Sequence, residues 1–182
     1  MSAQEDILCR HYHTQIIGQK RGKKNMSFTL SSRSLSKLEG VHDSLVNIVK
    51  EALKVTKVDF GVICGTRTKS EQAELVKKGA SKTMNSRHLP QESTGKSHAV
   101  DLMAYIGSRA SWELNLYDDI ADAIKAAAVM EGVDVTWGGA WHKPLNDWKG
   151  TSADLMNEYI DLRRGQGRKP FIDGPHFQLE IN

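Results

Sequence analysis

The sequence predicts an α+β or mixed α/β fold in a single domain, and three observations support this prediction. Its 182 residues are enough for one domain with a hydrophobic core, whereas two separate domains would each be small. Segments with apolar residues at helical spacing alternate along the chain with short apolar runs bounded by glycine or proline. The last of these runs alternates polar and apolar residues, a pattern typical of a strand with one polar face.

The predicted elements alternate between helices and strands from the first helix onward. This helix covers 45–53, with Asp43 or Ser44 available as its N-cap. Thr68 and Glu71 match a capping box, which predicts the start of a second helix. The remaining predictions place helices over 68–79, 116–132 and 154–164, and strands over 59–65, 98–105, 133–137 and 175–181.

The formal net charge of +3 is concentrated at the N-terminus. Residues 1–25 contain five basic and two acidic side chains, so residues 26–182 are formally neutral. We interpret 1–25 as a flexible basic extension and 26–182 as the catalytic domain. A domain that binds nucleic acid should carry a basic face on its folded body, so the neutral remainder argues against that class. The extension itself is either a translated leader or a cationic arm that docks on an anionic envelope.

Hydropathy and cysteine content argue against a membrane-spanning or disulfide-rich protein. No stretch approaches the roughly 18 consecutive apolar residues of a transmembrane helix, so stable membrane insertion is not expected. The first residues lack the basic start and apolar run of a secretory signal, and we therefore expect a cytoplasmic protein. Cys9 and Cys64 are the only cysteines, which argues against a disulfide framework. We interpret Cys64 as a small buried core residue.

Two histidines and two aspartates form a candidate metal site. His88 lies in a polar loop, Asp101 lies early in a predicted strand, and His176 begins the final strand. Zinc in hydrolases commonly has three such ligands and keeps its fourth position for water. Asp173, just before His176, is placed to accept the proton of that water. Arg67, which follows a strand, is placed to stabilise the oxyanion. The sequence therefore predicts a Zn²⁺ hydrolase.

These residues and their spacing resemble the zinc D,D-peptidases and L-alanyl-D-glutamate peptidases, a family that includes bacteriophage endolysins. The family pattern is Ser-x-His, then Gly-x-Ala-x-Asp, and much later an acidic residue, two others and His. The resemblance covers most of residues 26–182. The motifs that match are Ser86-Arg87-His88, His98-Ala99-Val100-Asp101, Asp173-Gly174-Pro175-His176, Gly65-Thr66-Arg67-Thr68 with Gln72, Gly79 and Ser81, and Trp137-Gly138-Gly139.

The resemblance implies an α+β domain of the hedgehog and D,D-peptidase type, with a small, mainly antiparallel sheet flanked by helices. It also implies a zinc metallopeptidase that hydrolyses the stem peptide of bacterial peptidoglycan between L-Ala and D-Glu, and we expect a monomer. An endolysin accumulates in the host cytosol and reaches the cell wall after release through a membrane pore. Two alternatives stay open: a D-alanyl-D-alanine carboxypeptidase or dipeptidase, and a non-catalytic zinc-containing module that binds the cell wall.

Two further histidines compete for the ligand positions. The interval from His88 to Asp101 is longer than in the family, so we interpret 90–97 as an inserted loop. His98 stands where the family often has Gly, which makes it a rival of His88 as the first ligand. In a regular strand His98 and Asp101 would point to opposite faces, which favours His88. His142 has no acidic residue three positions before it, and we interpret it as a cleft-wall or surface residue. Three tryptophans are interpreted as packing residues rather than as the lining of a groove: Trp137, Trp141 and Trp148.

Overall fold

The computed structural model describes residues 28–181, in which helices pack against one five-stranded sheet. The predicted extension over 1–25 lies outside the described residues. The helices are α1 Ser32–Lys37, α2 Asp43–Val55, α3 Lys69–Lys77, α4 Leu114–Glu131 and α5 Ser152–Gly165. The strands are β1 Asp59–Cys64, β2 Ala99–Ile106, β3 Arg109–Ser111, β4 Val135–Trp137 and β5 His176–Leu179, and a short 3-10 helix covers Leu145–Asp147.

The strands follow the order β1-β2-β5-β4 across the sheet, and each neighbouring pair is antiparallel. The short strand β3 pairs with the C-terminal half of β2, beyond the segment that pairs with β5. The last strand of the chain therefore lies inside the sheet, between β2 and β4. The predicted α+β class, with a small antiparallel sheet flanked by helices, is confirmed.

The hydrophobic core lies between the sheet and the helices α2, α4 and α5. The two long helices α2 and α4 pack on each other, and α4 also contacts β2, β4 and α5. All apolar positions used to predict the first helix are buried, which confirms the interpretation of their spacing. These residues are Leu45, Ile48, Val49, Ala52 and Leu53.

Several local features differ from the sequence predictions. The N-cap of α2 is His42, rather than Asp43 or Ser44, because the Nδ1 atom of its imidazole accepts the backbone N–H of Ser44 at 3.3 Å. The short elements α1 and β3 were not predicted, since neither has enough apolar residues to show a period. By contrast, the capping box of α3 forms with both of its reciprocal hydrogen bonds.

An irregularity in the pairing of β1 with β2 positions the side chains described below. The register shifts between Val62 and Cys64, so that Cys64 lies opposite Asp101. On the other edge of β2, Asp101 lies opposite His176. Three chemically reactive side chains therefore form one row across three neighbouring strands. Such bulges commonly redirect side chains near functional sites.

Within residues 28–181, none of the helices has the length and apolar composition needed to span a membrane.

Candidate metal centre and active site

Three potential ligand atoms meet at the end of the sheet, and we call them the ligand triangle. The Nε2 atom of His88 lies 3.1 Å from Oδ1 of Asp101 and 3.3 Å from Nδ1 of His176. The third side, from Nδ1 of His176 to Oδ1 of Asp101, measures 3.0 Å. Tetrahedral zinc with bonds of about 2.0–2.1 Å requires ligand atoms roughly 3.3 Å apart. The donor set therefore fits a zinc ion in both chemistry and spacing.

Hydrogen bonds on the far side of each imidazole fix which nitrogen faces the triangle. The Nδ1 atom of His88 lies 2.7 Å from the carbonyl oxygen of Gly65, which can only accept, so Nδ1 carries a proton and the neutral form of the ring has its lone pair on Nε2. The Nε2 atom of His176 lies 3.1 Å from Oε1 of Gln178. The amide of Gln178 is oriented in turn because its Nε2 donates to Glu180 at 2.8 Å. Such outer partners are typical of metal-binding histidines.

Asp101 is held from two sides. Its Oδ1 atom belongs to the ligand triangle, and its Oδ2 atom accepts a hydrogen bond from Nη2 of Arg67 at 2.6 Å. Burial alone would raise the pKa of this carboxyl, but the hydrogen bonds from His176 and His88 hold it far below its usual range. Burial likewise disfavours a charged His88, yet Asp101 and the neighbouring Cys64 raise the pKa of His88 to about 9. The centre therefore strongly favours a bound positive charge.

The turn that carries Asp173 is fixed against the end of β4. The backbone N–H of Asp173 donates to the carbonyl of Gly138 at 2.8 Å, and the N–H of Gly138 donates to the backbone carbonyl of His176 at the same distance. The indole Nε1 of Trp137 donates to the carbonyl of Gly174 at 2.7 Å. A Cβ atom at position 138 would collide with the backbone of Asp173. The Trp-Gly motif therefore sets the position of the candidate general base.

The carboxyl of Asp173 lies within the electrostatic field of the ligand triangle. Burial raises its pKa above the usual range for aspartate, and the charge of Asp101 acts in the same direction. The opposing influences come from His176, His88 and Arg67, which favour the ionised form. A carboxylate with a raised pKa beside a cation site is suited to accept a proton and to return it, as general acid–base catalysis requires.

Cys64 lies beside the site, so its interpretation as a buried core residue was wrong. It is partly exposed, its Sγ accepts a hydrogen bond from Nε of Arg67 at 3.1 Å, and Sγ lies 3.9 Å from Nδ1 of His88. Cys64, His88 and Asp101 form a second donor set, with ligand atoms all within 4.8 Å of one another. The ligand triangle is the tighter set, because its atoms lie only 3.0–3.3 Å apart. In addition, the thiol lies near Nδ1 of His88, which already bonds to the carbonyl of Gly65.

The two competing histidines lie outside the triangle. His98 is fully buried just before β2, where its Nε2 lies 2.7 Å from Oγ1 of Thr94 and its ring meets His42 edge to face. It therefore anchors the loop over 90–97 instead of facing Asp101. His142 stacks on Tyr159, and its Nε2 lies 3.2 Å from a carboxylate oxygen of α5. Neither imidazole replaces His88 or His176 in the triangle.

One wall of the site is aromatic, and the sequence did not indicate it. Trp141 stacks on His176 with ring centroids 5.2 Å apart and on Phe171 with centroids 5.9 Å apart. The ammonium of Lys82 lies 4.4 Å from the centroid of the Phe171 ring. We call Trp141 and Phe171 the aromatic wall, and Lys82 lies on its outer end. Trp141 was interpreted as a packing residue, but it packs on a candidate ligand; Trp137, by contrast, is fully buried in the core.

A buried glutamine connects the two sides of the site. Gln72 of α3 is fully buried, and its Oε1 lies 3.4 Å from Nη1 of Arg67. Its Nε2 donates to Oγ of Ser81 at 2.8 Å and to the carbonyl of Thr83 at 2.7 Å. The sequence motif contained Gln72 without indicating a role. The structure shows that it joins the arginine bound to Asp101 to the loop that carries Lys82.

Comparisons with known proteins agree with one another. A family model described as phage L-alanyl-D-glutamate peptidase matches residues 26–180. The L-alanyl-D-glutamate peptidase of Escherichia phage T5 is 26% identical over 158 residues, a match that covers 85% of this chain and 99% of that protein. The crystal structure of the Serratia marcescens L-Ala D-Glu endopeptidase ChiX is similar with a TM-score of 0.60 and 33% identity, over 86% of this chain and 93% of that one.

Proposed function

This chain belongs to the phage L-alanyl-D-glutamate peptidase family, and we propose that it is a zinc metallopeptidase of bacterial peptidoglycan. The bond that it hydrolyses joins L-alanine to D-glutamate in the stem peptide, as the names of its relatives indicate for them. The observation that carries this proposal is the ligand triangle, whose atoms lie 3.0–3.3 Å apart and whose charges act on the carboxyl of Asp173.

His88, Asp101 and His176 would hold the zinc ion. Two neutral imidazoles and one carboxylate are a common zinc hydrolase set, and each imidazole has an outer hydrogen bond that, in the neutral ring, leaves the lone pair on the nitrogen facing the triangle. A bound zinc ion supplies Lewis acidity, which lowers the pKa of water from about 15.7 towards 7 and polarises a carbonyl.

Asp173 and Arg67 carry the remaining roles. Asp173 accepts the proton of the attacking water and then passes it to the amine of the leaving D-glutamate. Arg67 stabilises the oxyanion that develops on the carbonyl of L-alanine. The contact of its Nη2 with Oδ2 of Asp101 supports a second role, in which the guanidinium keeps this ligand oriented. Arg67 thus acts as a positioning residue even when no substrate is bound.

The organisation of the chain completes the proposal. Residues 26–182 form the catalytic domain, which is supported by the family match over 26–180. Residues 1–25 are an extension that hydrolysis does not require. The enzyme acts as a monomer and reaches the cell wall from the host cytosol after a membrane pore opens. Deleting 1–25 should therefore leave the rate of hydrolysis of purified peptidoglycan unchanged.

The proposed reaction is tested by digesting purified peptidoglycan and identifying the new termini by mass spectrometry. We expect the wild-type enzyme to create new L-Ala carboxyl ends and new D-Glu amino ends in equal amounts. A strong chelator should abolish this release, and added zinc should restore it. The variant Asp173→Ala should bind zinc and still release almost nothing. An exposed aspartate of α5, Asp161, provides the matched control as Asp161→Ala.

The outcomes separate the competing functions. Release of free D-alanine without new D-Glu amino ends would instead identify a D-alanyl-D-alanine carboxypeptidase or dipeptidase. Binding to peptidoglycan without new termini would identify a non-catalytic module. Full activity after chelation would remove the metal from the proposal, and equal release by Asp173→Ala would remove the general base.

A further inference from the structure

Lys82 occupies an unusual position at the mouth of the site. It lies in the exposed loop after α3, and its ammonium reaches across to the ring of Phe171, 4.4 Å from the ring centroid. Phe171 is itself 45% exposed and stacks on Trp141, which in turn stacks on His176. The ammonium of Lys82 therefore lies at one end of a row of stacked rings, and the other end of this row is the candidate zinc ligand His176.

The loop that carries Lys82 is connected to Arg67 by hydrogen bonds of Gln72. Its two neighbours, Ser81 and Thr83, both accept hydrogen bonds from the buried amide of Gln72. The other end of that amide faces Arg67, which binds Asp101. The loop is thus held at the hydroxyl of Ser81 and the carbonyl of Thr83, on either side of Lys82, whose side chain extends over Phe171. These contacts position the loop relative to Arg67 and Asp101.

The proposed substrate carries a negative charge close to the bond that is cut. Glutamate has two carboxyl groups, and only one of them continues the peptide after its amine has been joined to L-alanine. The other carboxylate stays free, a few bonds from the scissile amide. A lysine ammonium has three N–H donors, and contact with a ring face leaves donors available for an anion.

We propose that Lys82 determines substrate specificity by binding the free carboxylate of the glutamate residue, with the rings of Phe171 and Trp141 as the apolar floor beneath it. This inference rests on the proposed function, because it names the part of the substrate that the same site recognises. A hydrogen bond between two charged groups is typically strong enough to change binding about tenfold or more. The cation on the aromatic wall thus selects acidic over neutral stem peptides.

The test uses the full chain and two synthetic peptides. In the first peptide, L-alanine is joined to the amine of D-glutamate, and L-lysine is joined to one of the two glutamate carboxyl groups. The other glutamate carboxyl is free. The second differs only in that the free carboxylate is a carboxamide, which has nearly the same shape and no charge. We expect the wild-type enzyme to favour the acidic peptide about tenfold in kcat/KM.

The variant Lys82→Gln should remove this preference in a specific way. We expect KM for the acidic peptide to rise about tenfold with kcat nearly unchanged, because the contact is equal in the ground state and the transition state. The values for the amidated peptide should stay the same. Lys82→Arg should keep most of the preference. Lys77→Gln removes an exposed lysine of α3 and is the matched control, which should behave as the wild type.

Each contrary outcome has a separate meaning. If the wild type cleaves both peptides equally, or if Lys82→Gln keeps the preference, the role of Lys82 is overturned and the proposed peptidase function stands. An equal fall of kcat on both peptides would assign Lys82 a structural role and would also overturn the inference. If the wild type cleaves neither peptide and creates no new termini in peptidoglycan, the proposed function fails, and this inference fails with it.

Discussion

Asp101 in the sheet and Asp118 in α4 are two buried or partly buried aspartates whose pKa values shift in opposite directions. Asp101 contacts two imidazoles and a guanidinium, and its pKa lies far below the usual range. Asp118 has a buried Oδ1 with no hydrogen-bond partner among residues 28–181, and burial, with Asp122 and Asp119, raises its pKa to about 6. Burial destabilises both charges, so the partners decide the sign of the shift.

Asp173 is the intermediate case. Burial raises its pKa as it does for Asp118, but His176, His88 and Arg67 also act on it and favour the ionised form. The comparison therefore distinguishes three kinds of carboxylate in one small domain. One is a candidate ligand that stays ionised, one is a candidate general base, and one destabilises the fold. Each kind predicts a different result when its charge is removed.

The largest effect is expected for Asp101→Ala. This change removes a ligand atom and leaves the guanidinium of Arg67 without its ion-pair partner. We expect kcat/KM on peptidoglycan fragments to fall roughly 10³-fold or more, together with loss of stoichiometric zinc. Zinc content is measured by metal analysis after dialysis. Asp119→Ala, which removes an aspartate of α4 that pairs with Lys57, is the control for charge. An Asp101→Ala enzyme with full zinc and near wild-type activity would contradict the ligand triangle.

A smaller but still large effect is expected for Asp173→Asn. The amide keeps the shape of the side chain and cannot accept a proton, so we expect kcat to fall about 10²-fold or more while zinc stays bound. Steady-state kinetics and metal analysis on the same preparation check both parts. Loss of zinc together with activity would show instead that Asp173 supports the metal and is not the general base.

The difference between these carboxylates was only partly visible in the sequence. The positions of Asp101 and Asp173 follow from short motifs, and motifs with local backbone rules, such as the capping box of α3, were confirmed. The predicted helices 116–132 and 154–164 were also found, because apolar spacing along a helix is a local signal. Asp118 carries no such signal, since a polar residue on a helix normally faces water.

Contacts between distant segments explain the remaining differences. The stacking of Trp141 on His176 and the contact of Lys82 with Phe171 join segments that no periodic pattern connects. Cys64 was placed in the core because it ends an apolar run, and a register shift in the sheet turns it towards the site instead. The backbone geometry that decides these positions has no signature in a single sequence.

A more moderate effect is expected for Gly138→Ala, which tests how Asp173 is held. The added methyl group would meet the backbone of Asp173, so the turn must move away from β4. We expect kcat to fall about tenfold and the free energy of unfolding to decrease by about 1–3 kcal/mol. Denaturant unfolding and kinetics measure the two effects. Gly165→Ala is the control, because a Cβ there has open space. An unchanged kcat would mean that the turn does not position the base.

The smallest effect is expected for Asp118→Asn, and it has the opposite sign, because this change should stabilise the protein. The folded pKa of about 6 lies above the unfolded value of about 3.9. The carboxyl therefore costs nothing while it is protonated below about pH 4, and it destabilises the fold increasingly as the pH rises through 6. Because this side chain remains partly in water, we expect a gain of about 1 kcal/mol at pH 7. That gain corresponds to a melting temperature about 2–4 °C higher. The gain should vanish at pH 4, and Asp161→Asn, at an exposed aspartate of α5, should show no gain at either pH. An equal gain at both values would mean that the charge of Asp118 is not the cause, and the contrast between Asp118 and Asp101 would then reflect packing instead of electrostatics.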